Sequence, residues 1–293
     1  MTDRPYPPSP PPSSPPPGAP PPSGNGREGD GAGWGRVPLD QVDSPYSVLL
    51  AFVSVLIFIF PNLLIVLSGA LTDTDAAAPV LNDAQMVFTL VVSLILQLLL
   101  FGAALLPLII RRRLDGRLFG PTRPRWTGVA IGLAIVSGIA ATFAAYTVNA
   151  ILVLLLGAED PVEQQILQDA LAGGLPLILA ALVAVVVAPV TEEVIFRGVL
   201  FRAMADKFGL WVGAVASSVI FALIHIEIVF SQPIALGGLF LVAMVLAYAY
   251  HRTGNLVVPI IGHAVFNAFS LGLALLVDRI DLAEILAVVV LLA

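Results

Sequence analysis

Six polar side chains stand in three separate clusters within segments that are otherwise apolar. The first cluster lies in the string APVTEEVIFRGVLF, the second in IFALIHI and the third in PIIGHAVFNAF. Ionisable groups at membrane depth are costly, and they usually line a site or a polar pathway. Two acids, two imidazoles, a carboxamide and a guanidinium together are suited to hydrolysis. The six candidate residues are Glu192, Glu193, Arg197, His225, His263 and Asn267.

The spacing within the first cluster predicts different surroundings for the two acids. Residues four apart on a helix share a face, so Glu193 and Arg197 are predicted to form an ion pair. Glu192 points about 100° away from its neighbour, which leaves its carboxylate free for chemistry. One arginine compensates only one of two adjacent acids. The pair therefore indicates a functional site more strongly than the other clusters do.

The two histidine clusters also place side chains on single helix faces. His263 and Asn267 are four apart and can aim at one spot. Phe221 shares a face with His225, and its ring is expected to wall the site. A histidine or asparagine in a membrane helix also commonly bridges neighbouring helices. For His263 and Asn267 taken alone, structural and catalytic roles are therefore both open.

Composition indicates a polytopic membrane protein. The 293 residues are 58% hydrophobic and 12% charged, with a mean hydropathy of +0.96, whereas soluble domains carry about a quarter charged residues. The chain has no cysteine, which excludes disulfides and thiolate chemistry. The first residues lack the pattern of a signal peptide, so the first membrane helix is expected to act as its own insertion signal.

The chain divides into a tail and a membrane domain. Residues 1–42 are rich in proline and glycine and are expected to form a disordered cytoplasmic tail. A plain solvated tail is favoured there over a ligand for a proline-binding partner. Residues 43–293 are predicted to form an all-α transmembrane bundle of seven or eight helices, with a protease-like core at 175–270. The predicted spans are Tyr46–Leu71, Met86–Ile110, Gly128–Gly157, Gly174–Ala203, Leu210–Phe230, Ile234–Tyr250 and Leu256–Val277, with Ile280–Ala293 undecided.

Basic residues predict the orientation in the cell membrane. The loop at 111–125 carries six arginines and one acid, whereas the preceding loop and the following one carry acids and no basic residue. Excess basic charge in a short loop marks the cytoplasmic side. The N-terminus is then expected to be cytoplasmic.

Together the three clusters resemble the motifs of the CPBP family of intramembrane proteases. This group includes the type II CAAX prenyl proteases and the abortive-infection-like proteins. The strings EEVIFR, FALIH and HAVFN match the patterns EExxxR, FxxxH and HxxxN/D, in that order, on separate membrane helices. The resemblance covers about Leu175 to Phe269 and does not include the tail. It implies an intramembrane endopeptidase with a cavity open to the cytosol, acting on CAAX-like, lipidated or other membrane-associated peptide substrates.

The resemblance also implies roles by position. Glu192 is the leading catalytic residue and His225 its partner. The second histidine motif is filled by His263 and Asn267, and the first motif is completed by Glu193 and Arg197.

Two mechanisms remain open on these residues. In the first, zinc is held by Glu192, His225 and His263 and lowers the pKa of a bound water. Such proteins are commonly described as metalloproteases, although an HExxH spacing is absent here. In the second, Glu192 and His225 deprotonate a water without a metal, while His263 and Asn267 donate hydrogen bonds to the oxyanion. The chemistry slightly favours the second.

Two other classes of protein are also considered. A non-catalytic membrane scaffold or bacteriocin-immunity-type protein would use the same helices without hydrolysis. A proton-coupled transporter ranks last, because no internal repeat is found. No nucleic-acid partner is expected. The substrate and the oligomeric state stay open.

Overall fold

Seven helices make up the part of the chain that the structure describes. The computed structural model describes residues 47–71, 82–110, 127–156, 174–225 and 233–279, and no strand occurs in these ranges. The predicted all-α fold is confirmed. The helices are α1 Val48–Leu71, α2 Asp83–Ile110, α3 Thr127–Leu156, α4 Gly174–Phe208, α5 Leu210–Ile224, α6 Ala235–Thr253 and α7 Val257–Arg279.

Five of these helices, α2, α3, α4, α6 and α7, are long and apolar enough to cross a membrane. Large apolar side chains such as Phe88, Leu99 and Phe143 are exposed on their outer faces. Lipid tails offer no hydrogen-bond partners, so a helix in lipid needs an apolar outer surface in addition to its internally bonded backbone. The protein is therefore a multi-pass membrane protein. Helix α5 and the apolar segment of α1, Val48–Phe60, are shorter.

Three predicted features lie outside the described residues. They are the disordered tail at 1–42, the arginine loop at 111–125 and the eighth segment at 280–293. They stay predictions, as does the orientation that rests on the loop.

Helix α5 ends earlier than the predicted Phe230. His225 has backbone angles of φ −77° and ψ 57°, and its N–H bonds to the carbonyl of Ala222 at 3.2 Å. This i to i−3 bond closes the helix at Ile224, so the prediction of a continuous helix through His225 is wrong. His225 therefore stands at a helix terminus, where its backbone departs from the helical path.

Helix α4 departs twice from regular α-helical geometry. It is π-helical over Val183–Val187 and again over Val194–Phe201. Pro189 follows the first stretch; a proline ring clashes with the carbonyl four residues earlier, and a wider turn relieves that clash. The two glutamates therefore lie on the short α-helical segment Ala188–Glu193, between two widened turns.

The core forms around the second half of α4. Ile195, Phe196 and Leu200 are completely buried, and they pack with Ala51 of α1 and Ala243 of α6. A helix enclosed on several sides can hold charged groups away from lipid. This packing places the polar cluster of α4 inside the bundle.

Helices α3 and α7 approach each other at glycines. A Cβ atom at Gly138 would lie 2.5 Å from the carbonyl oxygen of Gly262, and one at Gly262 would lie 2.5 Å from Ser137 Oγ. Small residues allow such close packing between membrane helices. Because Gly262 immediately precedes His263, this crossing fixes the backbone that carries the second imidazole.

Candidate active site

The buried carboxylate of Glu193 joins two helices. Its Oε1 atom lies 2.9 Å from Arg197 Nη1 and 2.9 Å from His263 Nδ1. The predicted ion pair between Glu193 and Arg197 is confirmed. Burying a carboxylate is tolerated only with charged and hydrogen-bonding partners, and here both partners meet one oxygen. The contact with His263 ties α7 to α4.

Arg197 connects α4 to two further helices. Its Nη2 atom donates a hydrogen bond to the carbonyl of Ala243 on α6, at 3.1 Å. Its Cζ atom lies 4.6 Å from the ring centre of Phe221 on α5, an arrangement that allows a cation–π attraction. The guanidinium is therefore enclosed by protein on several sides, and the contacts observed here are those of a structural cation.

The ring of Phe221 lies close to both imidazoles. Its centre is 4.9 Å from that of His225 and 5.9 Å from that of His263. The predicted proximity of Phe221 to His225 is confirmed, and the ring also lies near His263, while its role as a wall of the site stays a prediction. Helices α4, α5 and α7 thus converge on one region, as the three motifs required.

The end of α5 determines the tautomer of His225. The carbonyl of Phe221 would bond the N–H of residue 225 in a continued helix, but that N–H bonds Ala222 instead. The freed carbonyl lies 2.8 Å from His225 Nδ1. A carbonyl can only accept, so Nδ1 carries the proton and donates. A neutral His225 therefore presents Nε2 as an unprotonated acceptor.

His263 is also oriented through its Nδ1 atom, in this case by a carboxylate instead of a backbone carbonyl. Its Nδ1 atom faces the Glu193 carboxylate, which also pairs with Arg197 and accepts the hydrogen bond. The Nε2 atom of His263 is therefore the one available for chemistry. A carboxylate behind Nδ1 fixes the orientation of an imidazole. Both histidines thus have their second nitrogen committed to protein.

Glu192 differs from its neighbour in having no ion-pair partner among the described residues. The side chain is partly buried, and its Oε2 atom is buried without a hydrogen-bond partner among the described residues. A buried polar atom without a protein partner normally needs water or a ligand. The spacing argument assigned the free carboxylate to this position, and the structure agrees. Its catalytic role stays a prediction.

Asn267 does not reach the same place as His263. Its Nδ2 atom donates to the carbonyl of Ala184 at 2.6 Å, whereas His263 bonds Glu193 further along α4. The expectation that both side chains aim at one spot is therefore not met in this arrangement. Asn267 attaches α7 to the first widened turn of α4.

The described residues do not assemble a metal centre. Within them, no group of three His, Cys, Asp or Glu side chains is placed to hold a metal ion. Glu192, His225 and His263 are thus not grouped as three metal ligands in this arrangement. The zinc assignment stays a prediction.

A polar contact from α2 was missed by the sequence analysis. Gln97 Nε2 donates to Thr191 Oγ1 at 3.2 Å, and Thr191 donates in turn to the carbonyl of Val187 at 3.0 Å. Thr191 directly precedes Glu192. The available signal was the lone amide in the apolar string LILQLLL. A polar side chain in such a run tends to face a neighbouring helix.

Comparison with known proteins agrees with the motifs. Residues 174–269 match the family model described as "Type II CAAX prenyl endopeptidase Rce1-like". The resemblance stated from the three motifs is thereby confirmed over this segment.

Two curated proteins are also similar to this chain. The protein named "Putative membrane peptidase YdiL" of Bacillus subtilis (strain 168) is 32% identical over 147 residues, covering 48% of this chain and 56% of that protein. An "Uncharacterized 24.3 kDa protein" of Escherichia coli is 31% identical over 99 residues, covering 33% of this chain and 44% of that protein. The chain thus spans about half the length of these relatives. No solved structure matches it.

Proposed function

We propose that this protein is an intramembrane endopeptidase in which Glu192 and His225 activate a water molecule. The observation that carries the proposal is the buried Oε2 atom of Glu192, which has no partner among the described residues, on a carboxylate that forms no ion pair there, whereas its neighbour Glu193 is paired through Oε1 with Arg197 and His263. The match to an Rce1-like endopeptidase family and the name of the Bacillus relative support the same class of reaction.

Each step of the proposed hydrolysis uses an atom left free by the packing. The water gives a proton to the Glu192 carboxylate, and its second hydrogen bonds to Nε2 of His225. The water oxygen attacks the peptide carbonyl carbon, and the carbonyl oxygen becomes an oxyanion. When the intermediate collapses, the C–N bond breaks and the leaving nitrogen takes the proton from Glu192.

His263 is suited to stabilise the oxyanion. Its Nδ1–H is held by Glu193, which orients the ring, and in the proposed mechanism the ring acts as the doubly protonated imidazolium. In this form Nε2–H can donate to the developing negative charge, and a preorganised donor of this kind contributes strongly in a site that excludes water. Glu193 and Arg197 then serve to orient the imidazole.

The proposed substrates are peptide segments at the membrane surface or within it, with CAAX-like C-terminal peptides as the first class to test. The family description names CAAX prenyl endopeptidases. A site carried by membrane helices also favours substrates that are anchored in the same bilayer.

The direct test replaces Glu192 with glutamine, which keeps the size and removes the proton acceptor. Loss of a general base lowers rates by about 100-fold or more, so Glu192→Gln should lower kcat by at least that factor. Purified protein in lipid vesicles would be assayed with a fluorogenic CAAX-like peptide, and its thermal midpoint compared with that of the unmodified chain.

Asp206→Asn is the matched control, because Asp206 is an exposed acid on the same helix. It should keep the full rate. Full activity in a folded Glu192→Gln protein would contradict the role proposed for Glu192, whereas absence of cleavage by the unmodified chain would favour a scaffold or immunity-type protein.

Chelation separates the two mechanisms left open by the sequence. The metal-free mechanism predicts that activity survives dialysis against a strong zinc chelator, with less than one zinc ion per chain by elemental analysis. Loss of activity that added zinc restores would replace this mechanism with the metal-assisted one.

A further inference from the structure

We infer that Asn267 is a positioning residue whose amide replaces a backbone donor that Pro189 removes from α4. By doing so it holds α7, and with it His263, against Glu193. The catalytic consequence rests on the proposed function. The hydrogen bond and its structural consequence do not.

The missing donor follows from the hydrogen-bond pattern of the first π-helical stretch. Ala188 donates its N–H to the carbonyl of Val183, five residues earlier. In the same pattern, residue 189 would donate to the carbonyl of Ala184. Residue 189 is proline and has no N–H, so this carbonyl loses its backbone partner.

The side chain of Asn267 occupies the place of that donor. Its Nδ2 atom lies 2.6 Å from the oxygen of Ala184 and donates to it across the contact between α7 and α4. An unsatisfied backbone carbonyl is costly at membrane depth. A carboxamide from a neighbouring helix therefore stabilises the widened turn and the helix pair together.

The attachment has a direct bearing on the second imidazole. His263 lies four residues before Asn267 on α7 and bonds Glu193, while Asn267 bonds Ala184. Pro189 lies between these two points on α4. Two attachments on either side of the proline restrict both sliding and rotation of α7. Without the Asn267 bond, the stretch of α7 that follows the glycine crossing would be held less firmly against α4, and the ring of His263 would be placed less precisely against Glu193.

Replacing Asn267 alone cannot separate this role from that of an oxyanion donor, because both would use the same amide nitrogen. Pro189→Ala separates them. The substitution restores a backbone N–H at position 189, and this N–H bonds the carbonyl of Ala184 if the π-helical pattern persists. If the segment instead becomes a regular α-helix, the N–H of Ala188 bonds Ala184. In both cases this carbonyl gains a backbone donor, whereas no oxyanion donor is created.

The experiment is a double-mutant cycle with Pro189→Ala, Asn267→Ala and the combined variant. Thermal midpoint, kcat and KM would be measured for each protein in lipid vesicles with the same peptide. With Pro189 present, Asn267→Ala should lower the midpoint by about 3 °C or more. It should lower kcat by about 10- to 100-fold with KM little changed, since small misplacements of a catalytic group are that costly. With alanine at position 189, both losses should shrink severalfold.

Asn149→Ala supplies the matched control. Asn149 Oδ1 accepts a hydrogen bond from the N–H of Gly238 and so links α3 to α6 with another amide side chain. Its replacement should cost stability equally with proline or alanine at position 189.

Equal losses for Asn267→Ala in both backgrounds would overturn the inference. Recovery of the midpoint without recovery of kcat would also overturn it, because Asn267 would then act at the reaction itself. If the parent protein cleaves no peptide, or Pro189→Ala alone is inactive, the thermal cycle decides. A smaller loss with alanine at 189 supports the inference, and an equal loss ends it. Absence of all cleavage would count against the proposed function and not against this hydrogen bond.

Discussion

At the scale of single residues, two adjacent glutamates have opposite surroundings. Glu193 is fully buried and shares its Oε1 atom between a guanidinium and an imidazole, whereas Glu192 is partly buried and has no ion-pair partner among the described residues. The helical turn of about 100° between neighbours is sufficient to produce this difference. One acid is suited to organise the site, and the other is suited to exchange a proton.

Replacement of each acid should therefore have a different consequence. Glu193→Gln leaves Arg197 buried without its counter-charge, and breaking a buried ion pair in this way costs about 3–5 kcal/mol of stability. Glu192→Gln should leave the thermal midpoint nearly unchanged, since its carboxylate has no cationic hydrogen-bond partner in the described structure. Thermal unfolding of both variants in the same detergent checks this. Equal losses of stability would contradict the division of roles.

The residue pairs that spacing could predict are those within one helix. The ion pair of Glu193 with Arg197 needs only the i, i+4 rule. The contact of His263 with Glu193 joins residues 70 apart in the chain, so it depends on how α7 packs on α4. The bond of Asn267 to Ala184 depends in addition on a turn widened near Pro189. No periodicity within a single helix contains that information.

At the scale of elements, the end of α5 shapes the site as much as any side chain. The helix stops at Ile224, and the carbonyl that is released orients His225. Mostly apolar residues continue from His225 to Phe230, and no glycine or proline lies between His225 and Pro233 to signal the stop. Sequence periodicity consequently extended the helix too far, while the pairing of Phe221 with His225 was still anticipated.

The ring of Phe221 connects α5 to the other elements, and its loss should disturb all of them. Phe221→Leu removes the surface that contacts Arg197, His225 and His263. We expect kcat to fall about tenfold or more, because both imidazoles lose a common wall. The same peptide assay checks this. Phe208→Leu is the control, since Phe208 is exposed at the end of α4. Equal rates in the two variants would show that the ring is not needed for positioning.

At the scale of the whole molecule, hydropathy was sufficient to predict the seven helices. The predicted spans correspond to α1 through α7, and the five that are long and apolar enough to cross a membrane carry exposed apolar side chains suited to lipid. Length and composition decide these features, because the bilayer requires long apolar helices. They do not decide that α4 is widened twice, since that depends on one proline and on packing around it.

Orientation in the membrane is a further prediction at this scale. The chain has no cysteine, so a single introduced thiol reports its own location. With the arginine loop inside, a thiol reagent that does not cross membranes should label Glu163→Cys in intact cells. It should label Asp115→Cys only after permeabilisation. The reverse pattern of labelling would overturn the predicted orientation.

The glycine crossing of α3 and α7 has a consequence for how this fold can change. A methyl group at position 262 would meet the Ser137 hydroxyl oxygen at 2.5 Å and the carbonyl oxygen of Ala134 at 3.2 Å. The helices would have to separate, and the imidazole that follows Gly262 in the chain would move with them. The lack of space for a side chain at Gly262 and the position of the His263 imidazole are thus linked. An apolar substitution at Gly262, which is not one of the polar residues of the site, would therefore disturb activity.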